Sequence, residues 1–170
     1  MKFFEIEQKY RIATPNRIRK KLQALGAKRI SSGKESNILF DARKMLRSKK
    51  SILRLRRGAN GKASLTFKGP RLKGRFKKRI EVEMPVEYKI TKTILGWIGF
   101  RKVLEYSKRR EEFIMKKAHI ALDYLSGKGW FLEIEASPRD IHAVAKKLGL
   151  NSKDEEPRSY LQILGLTKRD

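Results

Sequence analysis

The chain of 170 residues contains no cysteine, which excludes disulfide staples, thiolate metal sites and a cysteine nucleophile. It also lacks any apolar run near the ~20 residues that a membrane-spanning helix needs. A secretory signal is not expected, because Glu5 and Glu7 fall where such a signal would be apolar. These absences together point to the cytoplasm. Acidic residues are scarce and unevenly placed: 18 of them against 43 lysines and arginines, a formal charge of +25. None lies between Asp41 and Glu81, an interval that holds sixteen cations. Hydrophobic residues, at 39%, are few for a globular chain but too many for a disordered one. At this length roughly 70% of the unfolded surface can be buried, enough for one core without staples. With no long repeat and no low-complexity linker, the chain reads as a single domain over 1–170.

Periodicity supplies the elements. Residues 2–12 alternate strictly, with Phe4, Ile6, Tyr10 and Ile12 on one face and Glu5, Glu7, Lys9 and Arg11 on the other, which predicts a strand. Thr14-Pro15 starts a helix with Ile18, Leu22 and Leu25 as its stripe and Gly26 as its stop. Further strands are predicted at 35–41, 53–56, 64–68 and 79–84, with Gly58-Ala59-Asn60-Gly61 as a hairpin turn. The basic stretch 42–51 reads as a loop or short helical turn. After Pro85 a helix is predicted to about Ile98, with Ile90, Ile94, Leu95 and Ile98 as its apolar stripe. Residues 101–116 and 118–124 predict a long hairpin, and 130–136 the last strand. Ser137-Pro138 opens a third helix that closes at Gly149, and 158–164 a short fourth. Eight strands with helices between them predict an antiparallel α+β domain, closed as a barrel.

The second face of these strands is unusual. An ordinary half-exposed sheet alternates apolar with assorted polar residues. Here it repeats like charges: acids dominate the last strand and, with lysine and arginine, the first, while bases dominate the middle ones. The spacing i, i+2 sets Glu5, Glu7 and Lys9 on one side of their strand. The same holds for Arg54 with Arg56, Thr66 with Lys68, Arg79 with Glu81 and Glu83, Lys108 with Arg110, and Glu133 with Glu135. Pointing inward, such faces would line a polar cavity. Buried lysines and arginines alone would repel one another, so a polyanion is expected there. The carboxylates suit a hard cation such as Mg²⁺ or Mn²⁺. Bases beside such carboxylates equip a site for phosphoryl chemistry, where positioning and charge neutralisation supply most of the rate.

Glu5-Ile6-Glu7-Gln8-Lys9 resembles the E-x-E-x-K signature of the CYTH family, the triphosphate tunnel metalloenzymes. The other motifs follow in the family's order: Leu53-Arg54-Leu55-Arg56, Thr66-Phe67-Lys68-Gly69-Pro70, Arg79-Ile80-Glu81, Lys108-Arg109-Arg110, Leu122-Asp123 and Phe131-Leu132-Glu133-Ile134-Glu135. The closing Glu156-Pro157-Arg158-Ser159-Tyr160 is similar to the end of the class IV adenylyl cyclase branch. The resemblance implies a closed eight-stranded antiparallel tunnel with helices packed outside. It implies Glu5, Glu7, Asp123, Glu133 and Glu135 as ligands of Mg²⁺ or Mn²⁺, with Glu81 on the same face. It implies Lys9, Arg54, Arg56, Lys68, Arg79, Lys108 and Arg110 as triphosphate-binding cations, with Glu5, Glu7 and Lys9 in the catalytic centre. Cyclase-like relatives also imply a homodimer.

Two reactions share these parts. A cyclase would form cyclic AMP and pyrophosphate from ATP; a triphosphatase would hydrolyse tripolyphosphate, a nucleoside triphosphate or thiamine triphosphate. The C-terminal motif favours the cyclase. A nucleic-acid-binding module is the lesser alternative, since the sequence has no RNP, zinc or helix-turn-helix pattern and its glutamates would repel phosphates. No specific nucleic-acid or membrane partner is expected, although the field favours weak, salt-dependent RNA binding. His119 and His142 read as surface residues. Trp97 and Trp130 read as packing helices onto the barrel wall, with a tunnel mouth as the other reading for Trp130, which follows Gly127-Lys128-Gly129. Arg71–Arg79 reads as a basic lid or a solvated loop, and Ser159 and Tyr160 as closing one end or anchoring the terminal helix.

Overall fold

The computed structural model describes residues 4–166. Eight strands, β1 (Phe4–Ile12), β2 (Lys28–Asp41), β3 (Ile52–Arg57), β4 (Ala63–Lys68), β5 (Lys77–Val86), β6 (Arg101–Met115), β7 (Ala118–Leu125) and β8 (Gly129–Glu135), form a closed barrel. Its order is β1-β5-β4-β3-β2-β6-β7-β8, and the neighbours whose register is resolved are antiparallel. Five helices lie outside it: α1 (Pro15–Ala24), α2 (Met45–Ser48), α3 (Tyr88–Trp97), α4 (Pro138–Leu148) and α5 (Tyr160–Ile163). The α+β class and the closed barrel read from the sequence are both present. The described residues divide into two compact units, one of residues 4–5 and 33–107, the other of 6–32 and 108–166.

In the first unit, β2 pairs with β3, β3 with β4 and β4 with β5. The outward residues Ile38, Phe40 and Leu55 form a core with Leu95 of α3, and Leu53, Leu65, Val86, Tyr88 and Phe100 pack against it. Helix α3 departs from the sequence reading. Pro85 sits inside β5, opposite Ser64, so the strand continues to Val86 and Glu87 becomes the helix cap, accepting from the Ile90 N–H at 2.6 Å. The helix therefore starts at Tyr88, and Leu95 is its one buried residue. Ile90, Ile94 and Ile98 are exposed, and Trp97, expected to pack on the wall, is 83% exposed. Strand β2 also starts earlier than predicted, because its first half, Lys28–Lys34, is largely exposed and carries no hydrophobic alternation. Residues 71–76 are mostly exposed, and a bridge between Leu72 and Lys78 ties the loop back on itself.

In the second unit, β1 pairs with β8, β8 with β7 and β7 with β6. Ile18 and Leu22 of α1 and Ile141, Val144, Ala145 and Leu148 of α4 are buried, the stripes that helical spacing demands. The Ser137 hydroxyl accepts from the Asp140 N–H, and Gly149 ends α4 with a left-handed φ of 74°. Trp130 packs as expected, its ring 5.1 Å from that of Tyr124 and 4.8 Å from the Arg19 guanidinium of α1. His142 is exposed. Among the described residues, no helix is long and apolar enough to cross a membrane.

Candidate active site

Alternation decides which side chains each unit gathers. In the first unit, Lys68 of β4 stands opposite Glu81 of β5, Thr66 opposite Glu83, and Arg54 of β3 opposite Thr66. Lys68 Nζ donates to both oxygens of Glu5 at 2.9 and 3.0 Å, and lies 2.6 Å from Glu81 Oε2 without hydrogen-bond geometry. Arg79 Nε donates to Glu5 Oε2 at 3.0 Å. Glu5 and Glu81 hydrogen-bond to each other, and their pKa values are driven apart. Burial would raise Glu5, but Lys68, the Glu81 hydroxyl and Arg79 hold it well below the usual carboxylate range. Burial and the Glu5 charge instead push Glu81 up to about 7, against the pull of Lys68.

Further along the same face, Arg56 Nη2 donates to Glu83 Oε1 at 2.7 Å, and the Thr66 hydroxyl donates to Glu83 Oε2 at 2.7 Å. Arg54 Nη2 reaches Thr66 Oγ1 at 3.4 Å. Burial would raise Glu83, but Arg56, Thr66 and Arg54 keep it low. Arg54 Nε and Asn37 Oδ1 are buried with no hydrogen-bond partner among the described residues. Glu35 lies 3.8 Å from Arg56 and accepts from Asn37 at 3.0 Å. Glu35, Asn37 and Glu83 were not singled out as site residues, though their i, i+2 spacing on the charged faces is the same signal.

In the second unit, Lys9 stands opposite Glu133, Glu7 opposite Glu135, and Arg110 opposite Asp123. Asp123 is fully buried. It accepts from Lys108 at 3.0 Å, from Arg110 at 2.7 and 2.6 Å, and from the Tyr160 hydroxyl at 2.5 Å. Arg110 also donates to Glu133 at 2.6 Å, and Lys9 Nζ lies 3.2 Å from the other oxygen of Glu133. The ammonium of Lys9 sits 3.5 Å from the centre of the Tyr160 ring, and that of Lys108 4.5 Å from it. Burial, followed by the charges of Asp123 and Glu133, pushes the Tyr160 phenol well up, so it remains a donor. Tyr160 thus both anchors the terminal helix and joins the charged cluster. Lys9 Nζ donates as well to the Arg158 carbonyl at 3.3 Å, and Arg11 and Arg158 both bind Glu156. His119, read as a surface residue, is Glu135's second cross-strand neighbour and lies 3.7 Å from Glu112 at a half-exposed position.

The first unit therefore brings together Glu5, Lys68, Arg79 and Glu81, with Arg54 and Arg56 along the same strands. The second gathers Lys9, Lys108, Arg110, Asp123 and Glu133, with Glu7 and Glu135 paired beyond them. Glu7 and Glu135 are cross-strand neighbours and present two carboxylates, and a hard divalent ion needs only one or two when substrate oxygens complete its shell. Asp123 fits less well, since four donors already occupy it. Among the described residues, no three acidic or imidazole groups converge on one point.

A closed antiparallel barrel whose strands carry buried, mutually paired lysines, arginines and carboxylates defines a class of protein built to handle compact anions. The CYTH domain model matches residues 4–160, and the chain belongs to that family. It is 29% identical over 174 residues to a Methanocaldococcus jannaschii protein provisionally named an adenylate cyclase, covering 95% of this chain and 99% of that one. It is 27% identical over 170 residues to the adenylate cyclase CyaB of Aeromonas hydrophila, covering 92% and 86%. A solved Hippeastrum protein, whose description reports a dominant triphosphatase activity, shares the fold with a TM-score of 0.71 at 18% identity, covering 95% of each chain.

Proposed function

We propose that this chain is a divalent-metal-dependent, cytoplasmic enzyme that converts ATP to cyclic AMP and pyrophosphate, and that it works as a homodimer. The observation that carries the reading is Arg54, an always-charged guanidinium whose buried Nε has no hydrogen-bond partner among the described residues, although its Nη2 lies 3.7 Å from Glu83. A buried donor left unsatisfied is costly, and an arriving phosphate oxygen satisfies it with a charge-assisted bond. Arg56, Lys68 and Arg79 of the same unit supply further positive charge. Their present carboxylate partners keep them charged and in place until the phosphates exchange for those partners.

The ribose 3′-oxygen attacks the α-phosphorus, its proton passes to solvent water, and the bond to the pyrophosphate oxygen breaks. Lysine and arginine donors neutralise the charge that develops on the phosphoryl and leaving oxygens. Mg²⁺ or Mn²⁺, held by Glu7 and Glu135 with substrate oxygens, would lower the pKa of the attacking hydroxyl and share in that neutralisation. Hydrolysis of a terminal phosphate is the second reading, favoured by the activity described for the Hippeastrum protein. The same donors serve it, with water as the nucleophile.

Incubation with ATP or tripolyphosphate and Mg²⁺ or Mn²⁺, with the products identified, separates the two. Cyclic AMP with pyrophosphate supports the cyclase, and orthophosphate the hydrolase. Glu7→Ala and Glu5→Ala are expected to abolish turnover in a folded protein, and Arg56→Ala and Lys68→Ala to lower kcat/KM about a hundredfold or more, the scale of a lost charge-stabilising donor. Near-normal turnover in Glu7→Ala would reject the metal assignment.

A further inference from the structure

Strand β2 buries an amide of which only one end is hydrogen-bonded. Asn37 has no exposed surface and stands opposite Arg56, on the strand face turned away from the core residues Ile38 and Phe40. Its Nδ2 donates to Glu35 Oε1 at 3.0 Å, which fixes the amide's orientation: the N–H end lies on the carboxylate, and Oδ1 is the other end. Oδ1 has no hydrogen-bond partner among the described residues. The facing cation does not supply one. Arg56 donates through Nε to Ser64 at 3.2 Å and through Nη2 to Glu83 at 2.7 Å, and its Nη1 lies 3.8 Å from Glu35. Arg54, diagonal to Asn37 in the same register, turns Nη2 to Thr66 at 3.4 Å and leaves Nε unbonded. A buried acceptor and a buried donor thus share one face of β2 and β3 without bonding each other.

A buried acceptor without a donor is costly, and a ligand that brings the donor relieves the cost. Phosphate does not bring it. Its ionised oxygens only accept, so they suit Arg54 and are repelled by an amide carbonyl. We infer that Asn37 is a specificity-determining residue: its Oδ1 accepts from a neutral hydroxyl or amine on the nucleoside part of the substrate, so the site takes a nucleoside triphosphate in preference to inorganic tripolyphosphate. The inference rests on the triphosphate reading above and adds which part of the substrate β2 holds. Diagonal neighbours on one sheet face stand roughly 7–8 Å apart, a separation that lets one ligand set a phosphate oxygen on Arg54 and a hydroxyl or amine on Asn37. Charge alone does not discriminate here, because Arg54, Arg56, Lys68 and Arg79 attract any polyphosphate. A polar group that must be paired does discriminate, since an analogue lacking the partner leaves it unpaired.

The test is calorimetric binding to the full chain and to Asn37→Leu, with divalent metal withheld so that no turnover intervenes and circular dichroism as the check of folding. The ligands are ATP, tripolyphosphate, inosine triphosphate, which has a carbonyl in place of the base amine, and 2′-deoxy-ATP and 3′-deoxy-ATP, which each lack one sugar hydroxyl. Asn37→Leu is expected to raise the dissociation constant of ATP about tenfold, the scale of one hydrogen bond left unmade, and that of tripolyphosphate by less than about twofold. One analogue is expected to bind the wild type about tenfold more weakly than ATP and to lose nothing further in the variant, which identifies the donor as the amine or one of the hydroxyls. Losing the N–H to Glu35 would disturb Arg56 and weaken every triphosphate alike, so the difference between ATP and tripolyphosphate is what a merely structural role would not move. Asn37→Ala, which removes the amide without adding apolar bulk, serves if Asn37→Leu does not fold. Unchanged ATP binding, equal weakening of ATP and tripolyphosphate, or equal weakening of ATP and all three analogues would overturn the inference alone. So would a wild type that binds tripolyphosphate but not ATP. A wild type that binds neither would overturn the triphosphate reading, and this inference with it.

Discussion

Asp123 has no exposed surface and four donors, so it organises its neighbours as much as it could serve any ligand. Taking charge out of water is tolerated only when partners replace the lost hydration, and removing one member of such a set costs about 3–5 kcal/mol. The same logic governs the buried Glu156. Hydrogen bonds from Arg158, first, and then from its backbone and Arg11, lower its pKa from 4.5 to about 2, although burial opposes this. The folded chain therefore binds fewer protons than the unfolded one between those values. The stability from this contact is complete above pH 4.5 and is lost as pH falls toward 2. Melting temperatures across that range are expected to fall less steeply in Glu156→Gln than in the wild type. Identical slopes would remove Glu156 from the acid response.

Among the elements, the ends decide more than the middles. Helix α4 stops at Gly149 because a left-handed φ of 74° suits glycine, and the Lys21 ammonium then caps the Leu148 carbonyl at 2.7 Å. A Cβ at Gly149 would meet Lys21 Nζ at 2.7 Å, the movable tip of a long side chain, so most of the cost falls on the backbone. Gly149→Ala is expected to lose about 1 kcal/mol in urea unfolding, with α1 and α4 retained; an unchanged midpoint would mean that the cap contributes nothing. Pro85 gives the contrasting case. It has no N–H to donate, yet it keeps its place opposite Ser64 and lets β5 continue to Val86, which shifts the start of α3 to Tyr88.

For the molecule as a whole, +25 on 170 residues produces a field felt by any polyanion. RNA binding through that field releases counterions and weakens steeply with salt, whereas bonds to buried cations are screened far less. Raising salt from about 50 to about 200 mM is expected to lower RNA affinity by about a thousandfold if six or more phosphates are contacted. Over the same range, KM for the triphosphate should change by less than about tenfold. Filter binding and a product assay on one preparation measure both. A parallel collapse would place the triphosphate on the exposed surface rather than beside the buried Lys68.

The period-two alternation of Glu5, Glu7 and Lys9, of Arg54 and Arg56, and of Glu133 and Glu135 determined which side chains share a strand face, because successive residues of a strand must point to opposite sides. The helical stripes of α1 and α4, with their proline starts and glycine stops, were legible for the same kind of local reason. Partnership was not. That Lys68 takes Glu5 from 63 positions away, that Tyr160 reaches Asp123 across 37, and that Glu35 and Asn37 stand near Arg56, follow from strand register and chain closure. The outward stripe of α3 lay beyond local reading as well, since periodicity shows that a helix has an apolar side but not which side the sheet covers. Backbone geometry acts between neighbours and is written in the sequence, whereas burial depends on what the rest of the chain brings alongside.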